Sequence, residues 1–294
     1  MISKKMENMV ANSSAIRAMF EEGNRLAKIY GPENVFDFSL GNPNVPAPKA
    51  VKQAILDILD EEDELVLHGY TNSNAGYEDV RQAVAESLNE RFGTAFAAKN
   101  ITMTVGAAGG LNVILKALLN PGDEVITFAP YFGEYRSYVN NFDGVLVEIS
   151  PNTVDFQPKL DEFEAKITPK TKAVIVNTPN NPTGAVMEKS DLEALVDLIV
   201  ANDLYVITDE IYSELTYTDD GHVSIASLPG MRDRTIYING LSKSHAMTGW
   251  RIGYACGPEV ILQQMLKIHQ FAIMCAPTTS QYAGVSALKN GDED

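Results

Sequence analysis

Cysteine is scarce in this chain of 294 residues, which contains only Cys256 and Cys275. Two widely separated thiols without a CxxC pattern cannot form the disulfide framework of a small secreted domain. Histidine is also rare, with four residues that lie far apart in the sequence. None of them has the spacing of a metal site, so we expect no bound metal.

The sequence also lacks long apolar runs and any excess of positive charge. Residues 1–8 contain no apolar signal core, and no hydrophobic run reaches the length of a membrane span. The formal net charge is −16, from 39 acidic and 23 basic side chains. A surface this negative repels nucleic-acid phosphates and anionic lipid headgroups. We therefore expect a cytoplasmic protein that binds neither nucleic acid nor membranes.

Short apolar segments alternate with helical segments from about residue 100 onward, and the 45% hydrophobic content is enough for a large core. The pattern predicts strands over 101–105, 124–128, 144–149, 173–177, 204–208, 235–239 and 252–255, a further short strand at 37–40, and helices over 14–29, 106–119 and 190–202. This alternation predicts a largely parallel sheet with helices on both faces. In such sheets the ligand site lies at the carboxyl ends of the strands.

Small residues follow the first regular strand, in the run Gly106-Ala107-Ala108-Gly109-Gly110. Small side chains at a helix N-terminus let backbone N–H groups approach an anion. Tight packing between helix and strand is the commoner reason for such residues, and the run matches neither GxGxxG nor the Walker pattern. This run alone therefore leaves both interpretations open.

Aromatic and charged residues follow other predicted strands. Phe132 would stack on a flat ring or belong to the core. Asp209 would cap a turn or hold a proton on a heterocyclic nitrogen. Lys243 follows an apolar strand and lies eight residues before Arg251. A lone lysine is usually a solvated surface group, but one that is shielded from water can lose its proton and attack a carbonyl carbon.

The segment 240–253, Gly-Leu-Ser-Lys-Ser-His-Ala-Met-Thr-Gly-Trp-Arg-Ile-Gly, resembles the lysine signature of the class I and II pyridoxal-phosphate (PLP) aminotransferases. Asn181-Pro-Thr-Gly184 and Asp209-Glu-Ile-Tyr212 resemble two further landmarks of that family, in the same order and at the same separations. The resemblance covers the chain from about Phe38 onward. It implies fold type I, with a mostly parallel seven-stranded sheet, helices on both faces and a small domain built from both chain ends.

The resemblance also implies a division of the chain. Residues 1–45 would form an N-terminal arm and part of the small domain, 46–280 the large PLP-binding domain, and 281–294 the start of a connection to the rest of the small domain. We expect the small domain to be only partly present, without the arginine that clamps the substrate's α-carboxylate. We therefore expect the chain to hold PLP but to transaminate poorly, with the apolar residues of 14–45 uncovered.

Three catalytic roles follow from the resemblance. Lys243 would carry PLP as a Schiff base and move the reacting proton. Asp209 would pair with the protonated ring nitrogen. Tyr212 would donate to the phenolic oxygen of the ring, together with Asn181.

Further contacts are implied for the rest of the cofactor and for the substrate. Phe132 would cover the ring face, and the phosphate would be held by a set of small, hydroxyl and guanidinium groups: Gly106, Ala107, Ala108, Ser242 and Arg251. Gly41 and Asn181 would meet the substrate. Tyr70 would reach the phosphate in a neighbouring subunit, which predicts a homodimer with its active sites at the interface. Ala108 stands where many aspartate-using relatives have lysine, which leaves aspartate specificity open.

The function implied is transfer of an amino group between an L-amino acid and a 2-oxo acid by a ping-pong mechanism. A PLP-dependent C–S β-lyase or a related fold type I enzyme would use the same residues, so the motifs do not separate the two. A ligand-sensing module of a DNA-binding regulator is disfavoured by the acidic composition. The sequence does not specify the amino donor or the 2-oxo acid acceptor.

Two proline bonds are predicted to be cis, Ala129-Pro130 and Asn181-Pro182. Both follow strands at points where the chain must reverse abruptly, and the family resemblance points the same way.

Overall fold

Seven strands form one mixed sheet in the computed structural model, which describes residues 1–11, 15–61, 63–219 and 221–292. The strands are β1 Ile101–Thr104, β2 Glu124–Phe128, β3 Val145–Ile149, β4 Thr171–Asn177, β5 Tyr205–Asp209, β6 Thr235–Gly240 and β7 Gly253–Cys256. Their spatial order is β1-β7-β6-β5-β4-β2-β3. Strand β7 runs antiparallel to both of its neighbours, and the other pairs are parallel. The predicted seven-stranded, mostly parallel sheet is therefore confirmed.

Helices cover both faces of this sheet. Within the described ranges they are α1 Lys4–Ala11, α2 Ala15–Tyr30, α3 Lys49–Glu61, α4 Glu64–His68, α5 Glu78–Phe92, α6 Gly106–Leu118, α7 Glu134–Asn141, α8 Leu160–Lys166, α9 Lys189–Ala201, α10 Leu241–Ser244, α11 Glu259–Ile273 and α12 Thr278–Asn290. None of these helices combines the length and the apolar character that a membrane span requires.

Strand β4 shows why the sheet is buried on both sides. Ala173 and Ile175 pack in the cluster that contains side chains of α6, whereas Val174 and Val176 pack in the cluster that contains side chains of α9. Successive side chains of a strand point to opposite faces, so a continuous apolar run fits a strand that is covered on both.

The ends of five strands meet at one edge of the sheet. Asn177, the last residue of β4, pairs with Asp209, the last residue of β5. Gly253 at the start of β7 pairs with Thr104 of β1 on one side and with Gly240 of β6 on the other. The segments that follow β1, β4, β5 and β6 and the segment that precedes β7 are thereby collected at this edge.

Most of the predicted elements lie within one or two residues of the observed bounds. Helix α2 confirms the predicted helix over 14–29, of which residue 14 lies outside the described residues. The strand predicted at 37–40 is wrong, because this stretch is irregular and no strand in the described part of the chain pairs with it. Phe38 there is 93% exposed, so the apolar pattern reflects an uncovered segment instead of a buried strand.

Helix α12 packs against α3 and α5, and its Gln281 is fully buried. The Gln281 side chain accepts a hydrogen bond from the Tyr77 backbone N–H at 3.0 Å and donates to the Ala276 carbonyl at 2.8 Å. The start of the predicted connection at 281–294 thus shares the core of the sheet domain. The division of the chain into 1–45, 46–280 and 281–294 stays a prediction.

The proline bonds agree with the sequence expectation. Ala129-Pro130 and Asn181-Pro182 are cis, as predicted, and Thr178-Pro179 is a third cis bond that was not predicted.

Candidate active site

Lys243 lies in the short helix α10, directly after β6. The backbone before it lies close to the returning chain, since a Cβ on Gly240 would lie 2.8 Å from the Ile252 carbonyl oxygen. Lys243 is half-buried, and its Nζ donates a hydrogen bond to the carbonyl of Gly41. Burial lowers the pKa of the Lys243 amine, and the nearby charge of Arg251 lowers it further. The turn therefore presents an amine that loses its proton more readily than a surface lysine does.

Asp209 ends β5 as a buried carboxylate with one oxygen unpartnered. Its Oδ2 accepts a hydrogen bond from the Tyr135 hydroxyl at 2.7 Å, whereas Oδ1 is buried and has no partner. Burial raises the pKa of Asp209 to about 6, and the hydrogen bond from Tyr135 opposes that rise. A buried acceptor without a donor is costly, so this oxygen is suited to a donor supplied by a ligand.

The neighbouring residue, Glu210, is also buried, but its carboxylate is saturated. It accepts hydrogen bonds from Thr208 at 2.9 Å and from Ser224 at 3.0 Å, and it lies 2.6 Å from Nε2 of His222. Consecutive side chains of an extended chain point in opposite directions, which separates these two carboxylates. Of these two carboxylates, only that of Asp209 therefore has an oxygen without a hydrogen-bond partner.

Asn181 and Tyr212 are brought together from the segments that follow β4 and β5. The Asn181 Nδ2 donates to the Tyr212 hydroxyl at 3.1 Å. Asn177 joins the two segments, because its Oδ1 accepts from the Asn181 backbone N–H at 2.7 Å and its Nδ2 donates to the Asp209 carbonyl at 2.8 Å. Burial raises the pKa of Tyr212, and so does the charge of Asp209, whereas Asn181 opposes the rise. Burial and the nearby Asp209 charge therefore keep the phenol protonated and able to donate.

Arg251 lies against the N-terminus of α6. Gly106 has a φ of 67°, and a Cβ there would lie 2.6 Å from Nη2 of Arg251. The absent side chain thus lets the guanidinium reach the turn between β1 and α6. Ala107 and Ala108 follow in the first turn of α6, and Ser242 is buried in α10. A guanidinium beside a helix N-terminus is a favourable place for an anion.

Phe132 is half-buried and packs edge-on against Tyr135, with ring centroids 5.6 Å apart. Tyr135 is the residue that holds Asp209, so the two aromatic rings lie beside the open carboxylate.

Tyr138 lies on α7, the helix that also contains Tyr135. Burial and the charges of Glu134 and Asp209 raise the pKa of Tyr138 to about 12, while Arg251 opposes the rise.

The structure thus unites most of the predicted site residues at one edge of the sheet. Tyr70 is the exception, because it follows α4 with 82% of its surface exposed, and none of the described contacts links it to the others. Tyr135 and Asn177 were not predicted. Their signals were slight: Asn177 is a polar residue at the end of an apolar strand, and Tyr135 follows Phe132 by three residues.

Comparison with known proteins gives consistent matches across the chain. The family model described as "Aminotransferase class I and II" matches residues 33–294. The putative aminotransferase YugH of Bacillus subtilis is 40% identical over 267 residues, which cover 89% of this chain and 67% of that protein. The aspartate aminotransferase of Pyrococcus abyssi is 37% identical over 283 residues, which cover 96% of this chain and 70% of that protein.

A solved structure of aspartate aminotransferase from Thermus thermophilus with maleate superposes with a TM-score of 0.90 at 34% identity. The match covers 99% of this chain and 73% of that one. The chain therefore spans about two thirds to three quarters of the length of these three proteins.

Proposed function

Because the chain belongs to the aminotransferase class I and II family, we propose that it transfers an amino group between an L-amino acid and a 2-oxo acid. Members of this family use pyridoxal 5′-phosphate as their cofactor. The observation that carries the proposal is that two groups lie at one edge of the sheet. They are the half-buried amine of Lys243, with its lowered pKa, and the buried carboxylate of Asp209, with an oxygen that has no partner.

The residues present fit this cofactor. The unpartnered Oδ1 of Asp209 is an acceptor for a protonated ring nitrogen. The Gly106 turn leaves room for Arg251 beside the α6 N-terminus, which suits a phosphate together with Ala107, Ala108 and the Ser242 hydroxyl. Asn181 and Tyr212 supply donors for a phenolic oxygen, and Phe132 supplies an aromatic face.

Each side chain then has a separate task. The cofactor, when bound, supplies an electron-withdrawing ring that stabilises negative charge at the substrate's α-carbon. Asp209 keeps the ring nitrogen protonated through charge and a hydrogen bond. Lys243 would be the neutral base that moves the reacting proton between the substrate's α-carbon and the cofactor carbon that receives the amino group. Its lowered pKa favours the neutral form that this task requires.

The reaction class is tested with a panel of amino donors supplied to this chain together with 2-oxoglutarate or pyruvate. Transamination predicts that a new amino acid forms only when an acceptor is present. Release of ammonia and a 2-oxo acid from a single amino acid, without an acceptor, would instead identify the C–S β-lyase alternative. If neither acceptor is converted to an amino acid with any donor of the panel, the proposed function is contradicted.

Tyr212→Phe is expected to weaken the site without removing the cofactor. The change deletes one hydrogen-bond donor to a charged oxygen, and such bonds contribute about 1.5–3 kcal/mol, which corresponds to a loss of roughly 10- to 100-fold in kcat/KM. The visible absorbance of the bound cofactor should titrate at higher pH, because its phenolate loses a donor. The measurements are steady-state kinetics and an absorbance titration. Tyr217→Phe, on an exposed residue, is the control, and an unchanged titration in Tyr212→Phe would refute the role.

We also propose a homodimer in which Tyr70 of each chain serves the phosphate of its neighbour. The exposure of Tyr70, away from the site of its own chain, supports this proposal. Tyr70→Phe and Lys243→Ala chains should each be impaired as homodimers when PLP is limiting. After the two are mixed and re-equilibrated, hybrid dimers should contain one complete site, which restores activity in about a quarter of all sites.

That recovery is measured by titrating the two variants against each other at constant total protein. Mixing two samples of the same variant is the control. If the mixture shows only the average of the two separate activities, Tyr70 does not act across an interface.

A further inference from the structure

The segment 36–45 lies beside the lysine turn and yet is hardly covered itself. Phe36 is 82% exposed and Phe38 is 93% exposed. Two hydrogen bonds tie the segment to the turn. The Gly41 carbonyl accepts from Nζ of Lys243, and Oδ1 of Asn42 accepts from the Thr248 hydroxyl at 2.7 Å. The position of the segment therefore depends on polar contacts more than on buried apolar surface.

Thr248 makes a second contact that points toward the opposite end of the site. Its backbone carbonyl accepts a hydrogen bond from Nη1 of Arg251 at 2.8 Å. The other terminal nitrogen of Arg251 faces Gly106 at the start of α6. One threonine thus connects the guanidinium beside the predicted anion site with the segment that reaches Lys243.

The two hydrogen bonds to segment 36–45 differ in whether reaction of Lys243 with the cofactor removes them. Lys243 donates to Gly41 only while its amine is free. That bond is given up once the amine nitrogen is joined to the cofactor's aldehyde carbon, with loss of one water molecule. The Thr248 hydroxyl takes no part in that reaction, so its bond to Asn42 can persist in the loaded protein.

We propose that Thr248 is a positioning residue, which holds segment 36–45 over the lysine turn through Asn42 and so places the Gly41 backbone at the substrate end of the site. The importance of Gly41 for substrate rests on the proposed function, whereas the tether itself does not. The consequence is that the tether matters more after PLP has reacted with Lys243 than before.

The tether is tested by limited chymotrypsin digestion of the full chain, with and without PLP, following cleavage after Phe36 and Phe38. Thr248→Ala should speed this cleavage about 5-fold, as expected for the loss of one ordinary hydrogen bond. The acceleration should be larger in the PLP-loaded protein. Cleavage after Tyr217, which is 89% exposed and lies in a different segment, is the internal control and should not change.

Matched variants separate the tether from a general loss of structure. Thr248→Ser keeps the hydroxyl and should digest like the wild type. Asn42→Ala should reproduce Thr248→Ala, and the double variant should be no faster than either single one, because all three lack the same bond. Fluorescence of Trp250, the single tryptophan, reports whether the turn itself is intact.

Kinetics supply the functional readout. Thr248→Ala should raise KM for the amino donor more than it lowers kcat, and Thr248→Ser should restore KM. Equal digestion rates after Phe36 and Phe38 in wild type, Thr248→Ala and Asn42→Ala would overturn the proposal. Faster digestion in a protein that transaminates no donor would instead uphold the tether and count against the proposed function.

Discussion

Lys243→Ala is expected to abolish covalent attachment of PLP and to lower transamination by at least about three orders of magnitude. Proton transfer by a positioned side chain contributes roughly 10²–10⁴-fold, and this variant also loses the group that bonds the cofactor. Lys243 is partly exposed, so its removal should leave the fold intact. The other contacts should still retain PLP, but in a form that dialysis removes.

The assignment is measured by reduction with borohydride followed by peptide mass analysis. Wild type should carry the cofactor on the peptide that contains Lys243, and Lys243→Ala should carry none. Lys189→Ala, on an exposed position of α9, is the matched control and should label like the wild type. A reduced cofactor found on any other lysine would show that the assignment is wrong.

Asp209→Asn is expected to weaken PLP binding by roughly two to three orders of magnitude at neutral pH. The variant keeps the shape of the side chain but replaces the charge that would balance a protonated ring nitrogen, and hydrogen-bonded buried charge pairs contribute a few kcal/mol. The dissociation constant of PLP, measured by fluorescence quenching, is the readout. Asp203→Asn changes an exposed carboxylate and is the control. Equal affinities of Asp209→Asn and wild type would contradict the role.

The raised pKa of Asp209 gives this prediction a pH signature. The folded cofactor-free protein holds the Asp209 proton up to about pH 6, whereas the unfolded chain releases it near pH 4. Asp209 therefore adds its full contribution to the free energy of unfolding below about pH 4, and this contribution is lost as the pH rises to about 6. The contribution is on the order of 3 kcal/mol. Cofactor-free Asp209→Asn should thus unfold at a higher temperature than wild type at pH 7.5, and the difference should disappear near pH 4.

The affinity for PLP should change in the opposite sense. Below about pH 6 the Asp209 carboxyl is neutral and no longer balances a positive nitrogen, so wild-type affinity should fall toward that of Asp209→Asn. Above about pH 6 the wild type should bind PLP more tightly than Asp209→Asn. The difference between the two pH profiles isolates Asp209 from other groups that titrate in the same range, including the phosphate of PLP.

The sheet and the lysine turn were predictable because their signals are local. Strand β4 contains the β-branched run 174–176 between turns, and the segment 240–253 contains several restricted residues at fixed spacing. The false strand at 37–40 had only the alternation of polar and apolar residues that is typical of a strand. Whether such a run forms a strand depends on a hydrogen-bonding partner, and its composition says nothing about the partner.

Other parts of the site depend on contacts between distant positions. The hydroxyl of Tyr135 reaches Asp209 across 74 positions of sequence, and Asn177 reaches Asp209 across 32. Spacing along one chain does not reveal such pairs. The reversed direction of β7 was equally hidden, because strand patterns are the same in both directions.

The antiparallel β7 has a consequence for how the protein moves. Strand β6 ends at the site edge, α10 follows, and β7 begins at the same edge. The amine of Lys243 and the guanidinium of Arg251 therefore belong to one uninterrupted hairpin in the central sheet. Hinge bending elsewhere cannot change the separation between these two groups. Swinging of segment 36–45 would therefore open and close the path for substrates while the two residues proposed to anchor the cofactor stay still, so substrate exchange and cofactor loss should proceed on independent timescales.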